Sequence, residues 1–293
     1  MRSSGSMPIA PIAVIIATVL IAVSIGAYLV YFVEPHDGAG EEDLIVEAGD
    51  IVTVDYVGMF QDGKVFDTSI ESVAFNDATY PKALSYELRD TFSPLNFSVG
   101  GGQMVTGFDS GVIGMYVGET KEILVSPAEG YGLSDPSKVS SRPMLEQVPV
   151  YEYGVSLENF TTEYGVAATV GVTVRDNFWG WNVSIYSIDS VGGTVTLKNV
   201  PDVGTFVSPY GGWSCKVESI DESANNGGGR ITLRHMLTAA DANAKVGVDA
   251  IGQEFRVVAV DLEEGTFVAD YNREVVGQYL VFRVTVLTAT KTG

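Results

Sequence analysis

The chain has 293 residues, with 37 Asp and Glu against 17 Lys and Arg, for a formal net charge of −20. That balance argues against nucleic acid as a partner, because binding a polyanion needs a basic surface. At 46% hydrophobic and 18% charged, the chain can bury a sizeable core and is not disordered. One cysteine and two histidines exclude an internal disulfide, a Cys-rich zinc site and a His cluster for a transition metal. No metal site and no cofactor is expected, although a site of carboxylates alone stays open. His36 falls in a linker and His235 in a repeat, so no Ser/His or Cys/His pair is expected. Cys215 reads as a buried structural thiol.

In chain order, Ile9 to Val33 carries no charge and exceeds the roughly 20 residues a helix needs to span a bilayer. Tyr28, Tyr31 and Phe32 sit where an aromatic belt would lie, Arg2 precedes the run and an acidic stretch follows it. The run predicts an uncleaved, single-pass N-terminal transmembrane helix, with the remainder outside the cytoplasm. A cleaved signal peptide is the alternative, but such apolar regions are shorter and end in a small-x-small site. Residues 34–46 read as an acidic, Gly-containing linker. Asn96, Asn159 and Asn182 match the glycosylation acceptor pattern at about the chance rate.

From Glu47 the pattern is β. Val52, Val54 and Tyr56 alternate with Ile51, Thr53 and Asp55, and Gln61 to Lys64 is a hairpin turn leading to a strand from Val65. Residues 70–94 hold helical fragments and two prolines, and predict a long connection with short helices. Leu95 to Val99 returns to strand. Gly100 to Gly102 is a turn without the Lys-Ser/Thr of a phosphate loop. Phe108 to Met115 predicts a short helix, and Lys121 to Ser126 a strand.

Residues 132–271 hold an internal repeat. Its copies are Trp181 to Gly204, Trp213 to Gly247 and, more weakly, Gln253 to Gly277. Each has a strand closing in Ile/Val-Asp, then a turn, then a second strand, which predicts β-hairpins packed on one another. The repeated Asp189, Asp221 and Asp261 read as turn caps or as cation ligands, capping being the commoner role.

Tyr56-Val57-Gly58, Asp62-Gly63 and Val65 to Ser69 resemble the opening of an FKBP-type peptidyl-prolyl isomerase. The similarity continues through Leu95 to Gly100, Gln103 to Phe108, Gly114-Met115, Val117 to Glu119 and Pro127 to Gly132, then resumes at Asn272 to Leu287. An insertion after the Tyr-Gly resembles the SlyD-like and archaeal group, in which an extra β domain binds unfolded polypeptide. The organisation implied is an anchor (1–33), a linker (34–46), an isomerase domain (47–131 plus 272–290) and an inserted β-rich domain (132–271). The fold implied is α+β: a twisted antiparallel sheet around a short helix, a mostly β insert and the N-terminal helix.

By resemblance, Tyr56, Phe66, Phe97, Phe108, Tyr131 and Phe282 line an aromatic cup with Met104 and Val105 at its rim. Leu95 stands where the family often has an aromatic, and Phe108 where many members have Trp. Asp67 would face the reacting carbonyl carbon or hold a neighbouring hydroxyl. The Tyr131 hydroxyl and the Val105 N–H would donate to substrate carbonyls. The expected partners are unfolded or proline-containing polypeptides. The alternatives are a catalytically weak chaperone, which Leu95 and Phe108 permit, and an adhesive surface protein.

Overall fold

The computed structural model describes residues 44–292. The transmembrane helix expected over 9–33 and most of the expected linker lie outside the described residues. Among the described residues no helix is long and apolar enough to cross a membrane. The expected single-pass anchor, and with it the placement of the remainder outside the cytoplasm, gains no support from the described residues.

The expected α+β class is corrected as well: the described residues are mostly β. They form seventeen strands, beside three α-helices of four, six and eight residues. The reason is local. The apolar residues recur with period two along most of the chain, and the helical-looking 70–94 stretch is cut by Pro81 and Pro94. It keeps one turn of helix, α1 (Glu71–Ala74), and otherwise runs as turns and extended chain.

The first sheet is built on β1 (Ile51–Phe60), whose Val52, Val54 and Tyr56 are buried in alternation. A tight turn returns the chain into β2 (Val65–Thr68), which pairs antiparallel with Val57–Met59. β3 (Leu95–Ser98) pairs with the opposite end of β1, at Ile51–Val54. β4 (Thr120–Val125) and β17 (Leu280–Thr290) complete the sheet in the order β2-β1-β17-β4. The last strand in sequence therefore lies between two of the earliest. Helix α2 (Thr106–Gly111) packs on this sheet through Gly107 and Gly111, where added Cβ atoms would strike Val125 and Ile123. It starts and ends earlier than the sequence predicts, because Gly111 and Gly114 (φ +82°) weaken its continuation. Val46, expected in the linker, is fully buried, and Ile45 bridges to Tyr116.

Between β4 and β17 the chain builds three further four-stranded sheets. β5 (Val139–Pro143), β6 (Leu145–Val148) and β7 (Tyr151–Ser156) follow one another closely, yet each joins a different sheet. Helix α3 (Leu157–Tyr164) leads into β8 (Thr173–Arg175), β9 (Asn182–Asp189) and β10 (Thr194–Asn199), which pair as β7-β10-β9-β8. β11 (Phe206–Val207), β12 (Cys215–Asp221) and β13 (Arg230–His235) take the order β11-β12-β13-β6. β14 (Lys245–Val248), β15 (Glu254–Asp261) and β16 (Thr266–Asp270) take β14-β15-β16-β5.

The hairpins read from the sequence are β9/β10, β12/β13 and β15/β16. All three break register at the same relative place, leaving Tyr186, Glu218 and Val258 as the extra residue. Asp189, Asp221 and Asp261 accept from backbone N–H groups two residues on, at 3.0, 3.0 and 2.9 Å, so they cap turns. One core joins the three sheets, from Phe160 and Ile185 through Leu233 to Phe267. A second core, with Phe97, Phe108 and Phe282, fills the first sheet.

The two chain crossings between these parts are held by Asn272, which is 7% exposed. Its Oδ1 accepts from Asp135 N–H (3.1 Å), and its Nδ2 donates to Asp135 O (3.0 Å) and Asp270 Oδ1 (2.8 Å). Gly277 N–H donates to Gly132 O (2.8 Å) beside it.

Candidate functional site

Alternation along β1 points Tyr56 into the first core, and the paired strands β2 and β17 add Phe66 and Phe282 beside it. Phe108 on α2 is the centre of the group. Its ring lies 5.0 Å from Phe282, 5.8 Å from Phe97 and 6.0 Å from Tyr56, edge-on to the first and last. Phe66 stands 5.6 Å from Phe282, also edge-on. Such geometry suits the positive edge and negative face of aromatic rings. Gly58 makes room for it, since a Cβ there would stand 2.7 Å from Phe66 Cζ. Leu95, Met104 and Val105 are partly buried against the same core. Val105 is the N-cap of α2, with extended backbone (φ −60°, ψ 140°).

A polar group borders the rings. Tyr56 OH donates to Asp67 Oδ2 at 2.6 Å. Arg89 Nη2 donates to Tyr56 OH (2.6 Å), to Asp67 Oδ1 (2.6 Å) and to Asp67 Oδ2 (2.8 Å). Burial, and then the Asp67 carboxylate, hold the Tyr56 phenol well above the ordinary tyrosine range, so it stays a donor. Tyr131 stands 37% exposed after a short 3-10 turn, Pro127–Glu129. The Arg273 guanidinium sits over its ring, 5.4 Å from the centroid. Burial raises the Tyr131 phenol and Asp67 raises it further, while Arg273 opposes them.

A cavity of about 660 Å³ opens beside this group, lined by Phe66, Asp67 and Tyr131, by Arg89, and by residues of the third repeat and its return. Of the ten residues singled out in the sequence, these three line the cavity. Tyr56, Phe97, Phe108 and Phe282 form the packed wall behind them, each under 9% exposed. Arg89 and Arg273 were missed. Arg89 lies in the irregular 75–94 connection and Arg273 after β16, so neither shares a local motif with Asp67 or Tyr131.

The absence of a Cys/His pair also needs correction. Cys215 Sγ lies 3.6 Å from His235 Nδ1, and His235 Nε2 lies 3.2 Å from Glu146 Oε2. The arrangement is not a nucleophile. Trp213 Nε1 donates to His235 Nδ1 (2.9 Å), so that nitrogen cannot take the thiol proton. Burial, and then the Glu146 charge, push the fully buried Cys215 thiol up to about 12.

Residues 43–146 match the sequence profile of the family described as FKBP-type peptidyl-prolyl cis-trans isomerase. The chain is 42% identical over 99 residues to the short-type peptidyl-prolyl cis-trans isomerase of Methanocaldococcus jannaschii, covering 34% of this chain and 59% of that protein. It is 32% identical over 91 residues to FK506-binding protein 2 of Yarrowia lipolytica, covering 31% and 50%. It is 36% identical over 84 residues to FK506-binding protein 1A of Neurospora crassa, covering 29% and 54%. The chain thus spans between half and three fifths of the length of these relatives. The matched stretch, residues 43–146, is similar to FKBP-type peptidyl-prolyl cis-trans isomerases.

Proposed function

We propose that this protein catalyses cis–trans isomerisation of X-Pro bonds in polypeptides, through the ring wall around Phe108 and the polar group at its edge. Turning the bond breaks amide resonance, a barrier of about 20 kcal/mol in water, and needs no nucleophile or metal. An apolar wall beside the proline ring disfavours the solvated planar amide relative to its twisted form. Tyr131, at the mouth, donates to a substrate carbonyl once the bond has turned. Asp67, oriented by Tyr56 and Arg89, presents a carboxylate oxygen beside the carbonyl carbon. The Val105 N–H, at the helix start, binds a second carbonyl. The observation that carries this reading is Asp67 and Tyr131 lining one cavity with Phe66, against rings that pack on Phe108.

The division into an isomerase domain (47–131 plus 272–290) and an insert (132–271) belongs to the same reading. The insert holds unfolded clients as a chaperone, by adding an extended segment to a sheet edge. A client held there meets the pocket repeatedly. The test is the isomerisation rate of a short Leu-Pro peptide. Wild type accelerates it, and Tyr131→Phe loses about tenfold in kcat/KM, the worth of one hydrogen bond made in the transition state. Asp67→Ala loses at least as much. A folded sample that leaves the peptide unaccelerated overturns the reading.

A further inference from the structure

The three repeats are not equivalent. In the first, Trp181 Nε1 donates to Asn199 Oδ1 (2.8 Å), and Asn199 Nδ2 donates to Glu152 Oε1 (2.9 Å). In the second, Trp213 Nε1 donates to His235 Nδ1, which leaves Nε2 to donate to Glu146. The positions correspond. Each Trp stands two residues before a buried strand residue, Val183 or Cys215. Each acceptor stands two residues past a buried Leu, and each Glu lies opposite that Leu in the sheet. The same register in the third sheet, where Ala269 faces Ser140, carries these positions to Gln253, Tyr271 and Ser140. The Trp and the Glu are both gone.

That third copy is the one facing the isomerase site. Glu254, Arg256 and Tyr271 line one side of the 660 Å³ cavity, opposite Phe66, Asp67 and Tyr131. Two ion pairs inside it neutralise themselves: Arg89 with Asp67 at 2.6 Å and Arg256 with Asp270 at 2.7 Å. Glu87, Glu254, Glu274 and Arg273 also line it and enter no ion pair among the described residues, which leaves three carboxylates against one guanidinium. The net −20 charge of the chain adds to that field.

We propose that the third repeat is the client-contacting wall of the cleft, and that the cleft takes proline-containing segments with Lys or Arg flanking the proline in preference to acidic ones. This rests on the isomerase reading of the Asp67–Tyr131 site. A client extended through the cleft advances roughly 3.3 Å per residue, so its flanks pass the Glu254 wall while the proline sits at Phe66. The other two repeats, with their Trp clasps intact, serve to pack the insert.

Two peptides with the same central Leu-Pro bond test this, one with Lys and one with Glu on both flanks. Their affinity for the full chain is read by fluorescence anisotropy, and their isomerisation by kcat/KM. The Lys peptide should bind about fivefold to tenfold more tightly at low salt, with the ratio falling towards one as salt screens the cleft. Glu254→Lys should shrink that ratio at least twofold. Glu264→Lys, the same charge change at the far turn of the hairpin, should leave it. Equal affinities at low salt, a preference for the Glu peptide, or a ratio that Glu254→Lys does not move would each overturn the proposal. Selective binding without acceleration of either peptide would instead overturn the isomerase reading alone.

Discussion

At the scale of single residues, the site turns on which charges are held and which are only near. Arg89 is 41% exposed and Asp67 36%, so their pair contributes little to folding in water. The same contact fixes Tyr56 and Asp67 beside the pocket. Arg89→Met should therefore change stability by less than about 1 kcal/mol while lowering kcat/KM on a Leu-Pro peptide by about threefold to tenfold. Urea unfolding beside peptide kinetics checks this, and a variant unchanged in both would remove Arg89 from the site. Cys215 shows the opposite balance. Its folded-state pKa, near 12, lies above the ordinary thiol value near 9, so folding favours the neutral thiol. The stability this provides is complete below about pH 9 and is lost as pH rises towards 12. While the thiol alone titrates, that loss approaches about 1.4 kcal/mol per pH unit. Cys215→Ala should flatten this part of the alkaline unfolding curve, and the wild-type thiol should resist aromatic disulfide reagents until the protein unfolds.

At the scale of elements, glycine and one buried amide set the geometry of the cleft. Gly58→Ala places a methyl against Phe66 and within 3.1 Å of Phe282. The rings must shift, at a cost of about 1–3 kcal/mol, and peptide activity should fall with stability. Chemical denaturation and the peptide assay on the same sample decide it, and a variant as active and stable as wild type would show that the rings have slack. Asn272→Ala should cost about 1 kcal/mol by removing the buried amide that bonds Asp135 N–H and Asp135 O across the crossing. It should raise KM for long clients more than for short peptides, since it loosens the crossing that sets the third sheet beside the pocket. These elements were unequally legible in the sequence. Tyr56, Phe66 and Asp67 sit within one hairpin, so local alternation and turn chemistry place them together. Phe97 and Phe108 fall around one glycine turn, tied by Gly100 N–H donating to Asp109 Oδ1. Strands β5 to β7 were not legible as separate sheet members, because each is short and finds its partner far along the chain. Arg89 and Arg273 were hidden for the same reason: their neighbours are set by a long connection and by the chain's return from β16 to β17.

At the scale of the whole molecule, two apolar cores meet across two chain crossings, and that arrangement predicts which functions can be separated. The first core draws on β1 to β4, α2 and β17, and holds no residue of β5 to β16. The second draws on the three repeated sheets and on the strands leading into them. Asp135 and Asn272 are already hydrogen-bonded at the crossing, so replacing residues 136–271 by a few glycines closes a short gap and costs little loop entropy. The shortened chain should fold and keep its first core. It loses the cleft's third-repeat wall, and with it Arg256 and Tyr271. Acceleration of a short Leu-Pro peptide should stay within about threefold of the full chain, because Phe66, Asp67 and Tyr131 all remain. On the proposed client-holding role of residues 132–271, catalysed refolding of a proline-limited unfolded protein should fall by about tenfold or more, because the effective concentration such holding supplies is gone. Refolding that proceeds unchanged would take the insert out of client handling and leave its three sheets to some other task. A shortened chain that cannot fold would show that the second core supports the first, and that the isomerase site depends on the repeats for its stability as well as for its reach.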